Sequence, residues 1–227
     1  MDKPLRTSNR RGQRSRQEIL DAASRVMSAY GYAGTSMSAL VNATGIPKSA
    51  IYHHFGSKAG LLAEVMAQGA HGFFAAMQEA HRHPPQGGTP RERLGWYLKK
   101  AGEVFENREN FLRLLFIMVM SNEAAEPETL QTVIKVRNEG RHFMREQIRD
   151  AFSVLGEPLA SRVADHLAHF GMLGFDGAFV SLQSGDKRTM ETHMEQLTEA
   201  MIALGEAHAA FLQQRARARR KRTPKRA

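Results

Sequence analysis

Apolar residues recur at three- and four-residue intervals along nearly the whole chain, and no stretch alternates in the two-residue rhythm of a strand. That pattern predicts an all-α protein. The first helix is expected to open at Ser15 and Glu18, a capping box in which each side chain satisfies the other residue's free amide. Ile19, Leu20, Ala23, Val26, Met27 and Tyr30 give it one apolar face, and Gly31 ends it. Ser36 caps a short second helix carrying Met37, Leu40, Val41 and Thr44, which Gly45 stops. Pro47 stands at or beside the first turn of a third helix, which ends near Phe55. Ser57 caps a longer fourth helix with Leu61, Leu62, Val65 and Met66 on one side.

Proline and glycine cluster over 83–88, the clearest break in the chain. A second capping box follows at Thr89 and Glu92, with Pro90 in the first turn. Further helices are expected over 90–107, 109–122, 127–155, 158–184 and 187–214. The predicted organisation is a basic disordered arm over 1–14, a three-helix bundle with a helix-turn-helix over 15–60, a larger helical domain over 61–214, and a basic disordered tail over 215–227.

Charge sharpens this division. Of the net +9, residues 1–58 hold nine Lys or Arg against three acids, and residues 215–227 hold eight basic residues and no acid. The intervening body has 15 basic and 20 acidic residues, a net of −5. Basic ends on a mildly acidic body suit a module that binds a polyanion. The absence of cysteine excludes disulfides, thiolate metal sites and thiol chemistry. The arginine-rich N-terminus has no apolar run behind it, and the longest apolar stretch, 111–120, is about half a membrane span and is broken by Arg113. A soluble, cytoplasmic protein without membrane contact is expected.

Residues 36–55 form two short helices around the turn Ala43-Thr44-Gly45-Ile46-Pro47, the length and chemistry of a helix-turn-helix. In that geometry Ile46, Ile51 and Phe55 face the first helix, and Lys48, Ser49, Tyr52 and His53 face outward. A cation and a hydroxyl near the helix start, then an aromatic ring and an imidazole one turn on, suit a DNA duplex.

The segments Ile19-Leu20-Asp21-Ala22-Ala23, Gly31-Tyr32-Ala33-Gly34-Thr35-Ser36, Gly45-Ile46-Pro47-Lys48-Ser49-Ala50-Ile51-Tyr52-His53-His54-Phe55 and Ser57-Lys58 strongly resemble the tetracycline-repressor (TetR) family of bacterial regulators. The match spans roughly residues 15–66. The resemblance implies that Tyr52, His53 and Lys58 touch phosphates with Ser36 assisting, and that Pro47, Lys48 and Ser49 approach bases and backbone in the major groove. Two features depart from the family pattern: Ala59-Gly60 stands where an acidic residue often follows the lysine, which predicts a looser start to the fourth helix, and the second helix reads Leu40-Val41-Asn42-Ala43-Thr44.

In the last helix Met190, Met194, Leu197, Met201, Leu204, His208 and Phe211 form a heptad seam that calls for a partner helix. The preceding helix carries Gly171, Gly174, Gly177 and Ala178, and each interior glycine costs about 1 kcal/mol relative to alanine, so close helix approach is the expected reason. A homodimer through a four-helix interface is therefore predicted, as the resemblance also implies, using Phe170, Gly174, Gly177, Met194, Leu197, Met201 and Leu204. The alternative is that both faces pack within one subunit. Phe74, Met77, Trp96, Phe105, Phe111, Phe116, Met120, Phe143 and Phe175, with Arg113 among them, are candidates for an adaptable small-molecule pocket of the kind the family has. For any one of them core packing is the competing role, and for Arg113 that role is pairing with a buried acid.

The histidine pairs His81/His83 and His166/His169 lack carboxylate partners, so no metal site and no cofactor are expected. No cluster of catalytic groups is visible, which argues against an enzyme. The predicted function is a repressor that binds a palindromic double-stranded operator as a homodimer and is released by a small, substantially apolar ligand. The alternative is an orphan or architectural DNA-binding protein without ligand control, to which the arginine-rich arm and tail would lend sequence-independent attraction.

Overall fold

The computed structural model describes residues 5–120 and 127–222. Residues 1–4 of the expected arm, 121–122 of the expected sixth helix and 223–227 of the expected tail lie outside them. All regular structure among the described residues is helical: α1 (Leu5–Gly34), α2 (Met37–Thr44), α3 (Lys48–Phe55), α4 (Lys58–Ala80), α5 (Pro90–Asn107), α6 (Glu109–Met120), α7 (Pro127–Ala151), a 3-10 turn (Ser153–Leu155), α8 (Glu157–Gln183) and α9 (Met190–Arg222). None of these helices is long and apolar enough to cross a membrane.

The chain forms two compact units, Met1–Ala76 with Arg108–Val136 and Met77–Asn107 with Arg137–Ala227. The expected boundary at residue 60 is therefore displaced, because the first unit includes most of α4 and a later stretch of chain. Its core joins Ile19, Leu20, Ala23 and Met27 of α1 to Leu40, Ile51, Phe55, Leu61, Leu62 and Met66. α6 lies along α1, where the Ser28 hydroxyl reaches Asn110 at 3.3 Å. Phe111 of α6 fills the space over Gly69, where a side-chain carbon would collide with its ring.

The second unit is a bundle in which α9 packs against both α5 and α8. Gly102 of α5 meets Met190 and Met194, and Gly171 of α8 meets Met144 and Met201. Polar ties run across the bundle: Arg137 grips Asp176 through both terminal nitrogens at 2.8 and 2.5 Å, and Lys99 reaches Glu191 at 2.5 Å. The Tyr97 hydroxyl donates to Asp150 at 2.7 Å, and that carboxylate also receives Arg93.

The capping box at Thr89 and Glu92 is present: the Thr89 amide donates to the Glu92 carboxylate at 2.7 Å and the Glu92 amide to the Thr89 hydroxyl at 3.3 Å. The box at Ser15 and Glu18 is not, and the arm is not disordered from residue 5 onward. α1 runs back to Leu5, and Glu18 instead accepts from Arg14 at 2.9 Å one turn earlier. Arginine and glutamine are good helix formers, and an i,i+4 ion pair favours continuing the helix over capping it. Gly31 breaks the helix as expected, with φ +72°, but one more turn follows it. The tail is likewise helical as far as Arg222.

The dimer candidates divide. Met194, Leu197 and Met201 are buried within the chain's own bundle, and the methyl groups of Leu197 occupy the space a side chain at Gly174 would take. These four residues serve packing inside one subunit. Phe170 and Leu204 remain exposed, and the space beside Gly177 is open. A 3.5-residue repeat drifts about 20° per heptad around a straight helix, so the seam that begins inward at Met190 has turned toward solvent by Leu204 and Phe211. Gly205 and Ala209 replace it on the inner side.

Candidate nucleic-acid interface

The segment from Thr35 to Lys58 is held by local hydrogen bonds that its sequence dictates. The Ser36 hydroxyl accepts from the Ala39 amide at 3.0 Å and starts α2. Gly45 ends it in the left-handed region, φ +69°, with its amide donating to the Val41 carbonyl at 2.8 Å. Thr44 ties the turn from both sides: its hydroxyl donates to the Leu40 carbonyl at 2.8 Å and accepts from the Ile46 amide at 3.1 Å. Pro47 precedes α3 as its cap rather than standing inside its first turn.

α3 buries Ile51 and Phe55 and leaves Pro47, Lys48, Ser49, Tyr52 and His53 exposed. All five belong to the predicted DNA-facing set. The Lys48 ammonium lies 5.6 Å from the centre of the Tyr52 ring, so cation and aromatic share one strip one helical turn long. Lys58 opens α4 half-buried, with its ammonium 4.2 Å from the centre of the Tyr32 ring. A cation–π contact of that kind restrains a long side chain while leaving its charge intact. Ser36, exposed, has committed its oxygen to the helix cap and keeps its hydroxyl proton to donate.

Two supports escaped sequence reasoning. Arg16 stacks over Phe55 at 5.2 Å and pairs with Glu64 at 2.9 Å, linking α1, α3 and α4. Tyr32 platforms Lys58 from 26 positions away. No periodic signal links such distant residues. The pairing of Glu64 has an electrostatic consequence, because no acidic residue lies between Asp21 and Glu64. The cations of this segment thus face outward without local carboxylate competition, as phosphate binding requires.

The looser start expected for α4 is not found. Ser57 caps it, accepting from the Gly60 amide at 2.9 Å, and a side-chain carbon at Gly60 would strike the Phe55 carbonyl oxygen. Glycine here lets α4 begin directly against the end of α3.

The ten pocket candidates separate between the units. In the first, Phe74 meets Phe73 edge-on at 5.3 Å, Phe111 is buried, Phe116 is half-buried and Met120 is exposed. Arg113 pairs with Glu109 one turn back on α6, a partly exposed acid rather than a buried one. Met120, at the last turn of α6, is 72% exposed and encloses nothing. In the second unit Phe105 and Phe175 are buried against each other at 4.7 Å, and Met77 is buried.

Trp96 and Phe143 flank His81 with ring centres 5.7 and 5.3 Å away. The two ring nitrogens of His81 lie 2.8 Å from the Met77 carbonyl oxygen and 3.0 Å from that of Tyr97. Burial pulls its pKa below the ordinary 6.5, against the raising influence of these carbonyls. His81 thus gives this aromatic cluster a polar centre, which no spacing along the chain signals. Among the described residues no three His, Asp or Glu side chains gather to hold a metal ion.

Residues 19–65 match the family described as bacterial regulatory proteins, tetR family. The HTH-type transcriptional repressor AcnR of Corynebacterium glutamicum is 49% identical over 47 residues, 21% of this chain and 25% of that protein. The chain thus spans about a quarter of the length of this curated relative. A TetR-family transcriptional regulator from Mesorhizobium loti superposes with a TM-score of 0.64 at 23% identity, over 86% of this chain and 98% of the other. A transcriptional regulator from Saccharomonospora viridis in complex with choline gives 0.61 at 18% identity, over 84% and 96%. At these identities the solved structures share the fold, and the specific match is the helix-turn-helix. The likeness to bacterial regulatory proteins of the tetR family is carried by residues 19–65, and the all-helical fold around them is shared with these solved structures.

Proposed function

We propose that this chain is a transcriptional repressor that binds a two-fold operator as a homodimer and leaves it when a small, substantially apolar ligand binds. The observation that carries the reading is the outer face of α3. Lys48, Ser49, Tyr52 and His53 stand exposed together on a short helix whose opposite side, Ile51 and Phe55, is buried. A major groove admits one such helix, and its N-terminus adds a partial positive charge toward phosphate. Tyr52, His53 and Lys58 hold the backbone with Ser36 beside them; Pro47, Lys48 and Ser49 meet base edges.

Two copies pair through the exposed apolar strip of α8 and α9: Phe170, Leu173, Gly177 and Leu204. Exposed phenylalanine and leucine beside an open glycine allow helices to approach closely. The ligand enters the second unit near the half-buried Trp96 and Phe143. To move the population from 1:99 to 99:1 it must prefer the released state by about 5.5 kcal/mol. The curated relative AcnR is a repressor by name, and the Saccharomonospora viridis neighbour holds a small molecule. A second reading, DNA binding without ligand control, is favoured by the burial of Phe105 and Phe175 against each other as ordinary core.

The deciding experiment is a footprint of the full chain on the DNA beside its own gene, with a shuffled duplex as control. A protected two-fold site that disappears in Tyr52→Ala is expected. Equal protection of both duplexes overturns the operator reading in favour of an architectural role.

A further inference from the structure

The last turns of α9 extend past the part of the helix that packs in the bundle. Residues 213–218 are all exposed, the helix continues through Arg222, and after Glu206 the chain has no acidic residue. At 100° per residue, Arg215, Arg217, Arg219, Arg220, Lys221 and Arg222 distribute positive charge around the whole circumference rather than on one side. Arg215 with Arg219 and Arg217 with Lys221 are like charges one turn apart, which oppose the helix they sit on. The Arg215 guanidinium rests 5.5 Å from the centre of the Phe211 ring, an attachment that leaves its charge in place. The negative end of the helix dipole offsets part of the repulsion in the last turn. A polyanion lying along the segment removes the rest.

The chemistry of the segment selects among polyanions. Between Arg215 and Arg222 the only uncharged residues are Ala216 and Ala218, so there is no apolar face to sink into an anionic bilayer. Five of the six cations are arginine, whose planar fork pairs with phosphate oxygens two at a time. The small alanines keep nothing between the helix and a charged backbone. We propose that residues 215–222 of α9 are a second nucleic-acid contact, separate from α3, that takes the phosphate backbone of duplex DNA without reading bases.

The test measures binding of the full chain to a scrambled duplex of about 40 base pairs across a range of salt concentrations, where each phosphate contact contributes about 0.9 to the slope of log K against log salt. The comparison is a variant with Arg215, Arg217, Arg219, Arg220, Lys221 and Arg222 all changed to Gln, which keeps helix propensity and removes charge. The slope is expected to fall by about 2 to 3, the loss of roughly three contacts. An unchanged slope overturns the proposal. A second variant, Lys48→Ala with Tyr52→Ala, separates this contact from the operator-reading helix. It retains salt-dependent binding to the scrambled duplex if α9 acts by itself, and complete loss overturns an independent contact. Capture by phosphatidylglycerol vesicles that depends on the same six charges, with the DNA slope unmoved, assigns the segment to membranes instead. Survival of the footprint in the glutamine variant shows that the repressor reading stands or falls on its own.

Discussion

Gly45 in the first unit stands where the chain turns, and Gly174 in the second stands where two helices touch. Gly45 has φ +69° and nothing within 4 Å of where a side chain would begin. Gly174 lies within the unbroken helix α8, and the Leu197 methyl groups fill its missing side chain. A substitution at Gly45 therefore strains its own backbone and disturbs the entry to α3. A substitution at Gly174 leaves the backbone comfortable and displaces a neighbour. The turn into α3 is specified by local rules, and the contact of α8 with α9 by complementary shapes on helices distant in sequence.

The contrast is tested most severely at Leu197. Leu197→Ala is expected to cost about 2–5 kcal/mol, read from urea unfolding, because it empties a buried contact. Gly174→Val is expected to cost about 1–3 kcal/mol by overpacking the same space. Combining the two should cost less than their sum, since the cavity left by one receives the methyls of the other. Strict additivity would show that the residues do not share that space.

Gly45→Ala should cost about 1–2 kcal/mol, the strain of a left-handed residue, and should weaken duplex binding as well. Equal stability of variant and parent would mean that the turn relaxes freely. Acidification gives a further effect confined to the second unit. Since burial lowers the His81 pKa below 6.5, the folded state takes up its proton less readily than the unfolded chain. Its contribution is complete above about pH 6.5 and is lost as pH falls from there toward the folded value. Melting temperatures of His81→Gln should decline less on acidification than those of the parent. The smallest change in stability is expected for Lys48→Ala, within about 0.5 kcal/mol by thermal melting, with a clear fall in duplex affinity. Loss of both would make Lys48 a structural residue.

The same contrast explains how far the sequence could be read. The box at Thr89 and Glu92, the bounds of α5 and the outward set of α3 were legible because each depends on residues within about one helical turn. The box at Ser15 and Glu18 misled because the same residue types also support a continuing helix, and Arg14 supplied the competing partner. Gly60 by itself suggests a loosening, because its close approach to the Phe55 carbonyl oxygen involves a second element.

The helical class, the turn at Gly45 and the residues that α3 presents outward follow from spacing and turn chemistry, which act along the chain. Packing between distant helices is what turns Met194, Leu197 and Met201 inward while Leu204 stays exposed, and what encloses a histidine between Trp96 and Phe143. A heptad pattern shows which residues share a stripe. Which partner covers that stripe depends on the helical twist accumulated along α9 and on where α5 and α8 lie against it, and no local spacing encodes either.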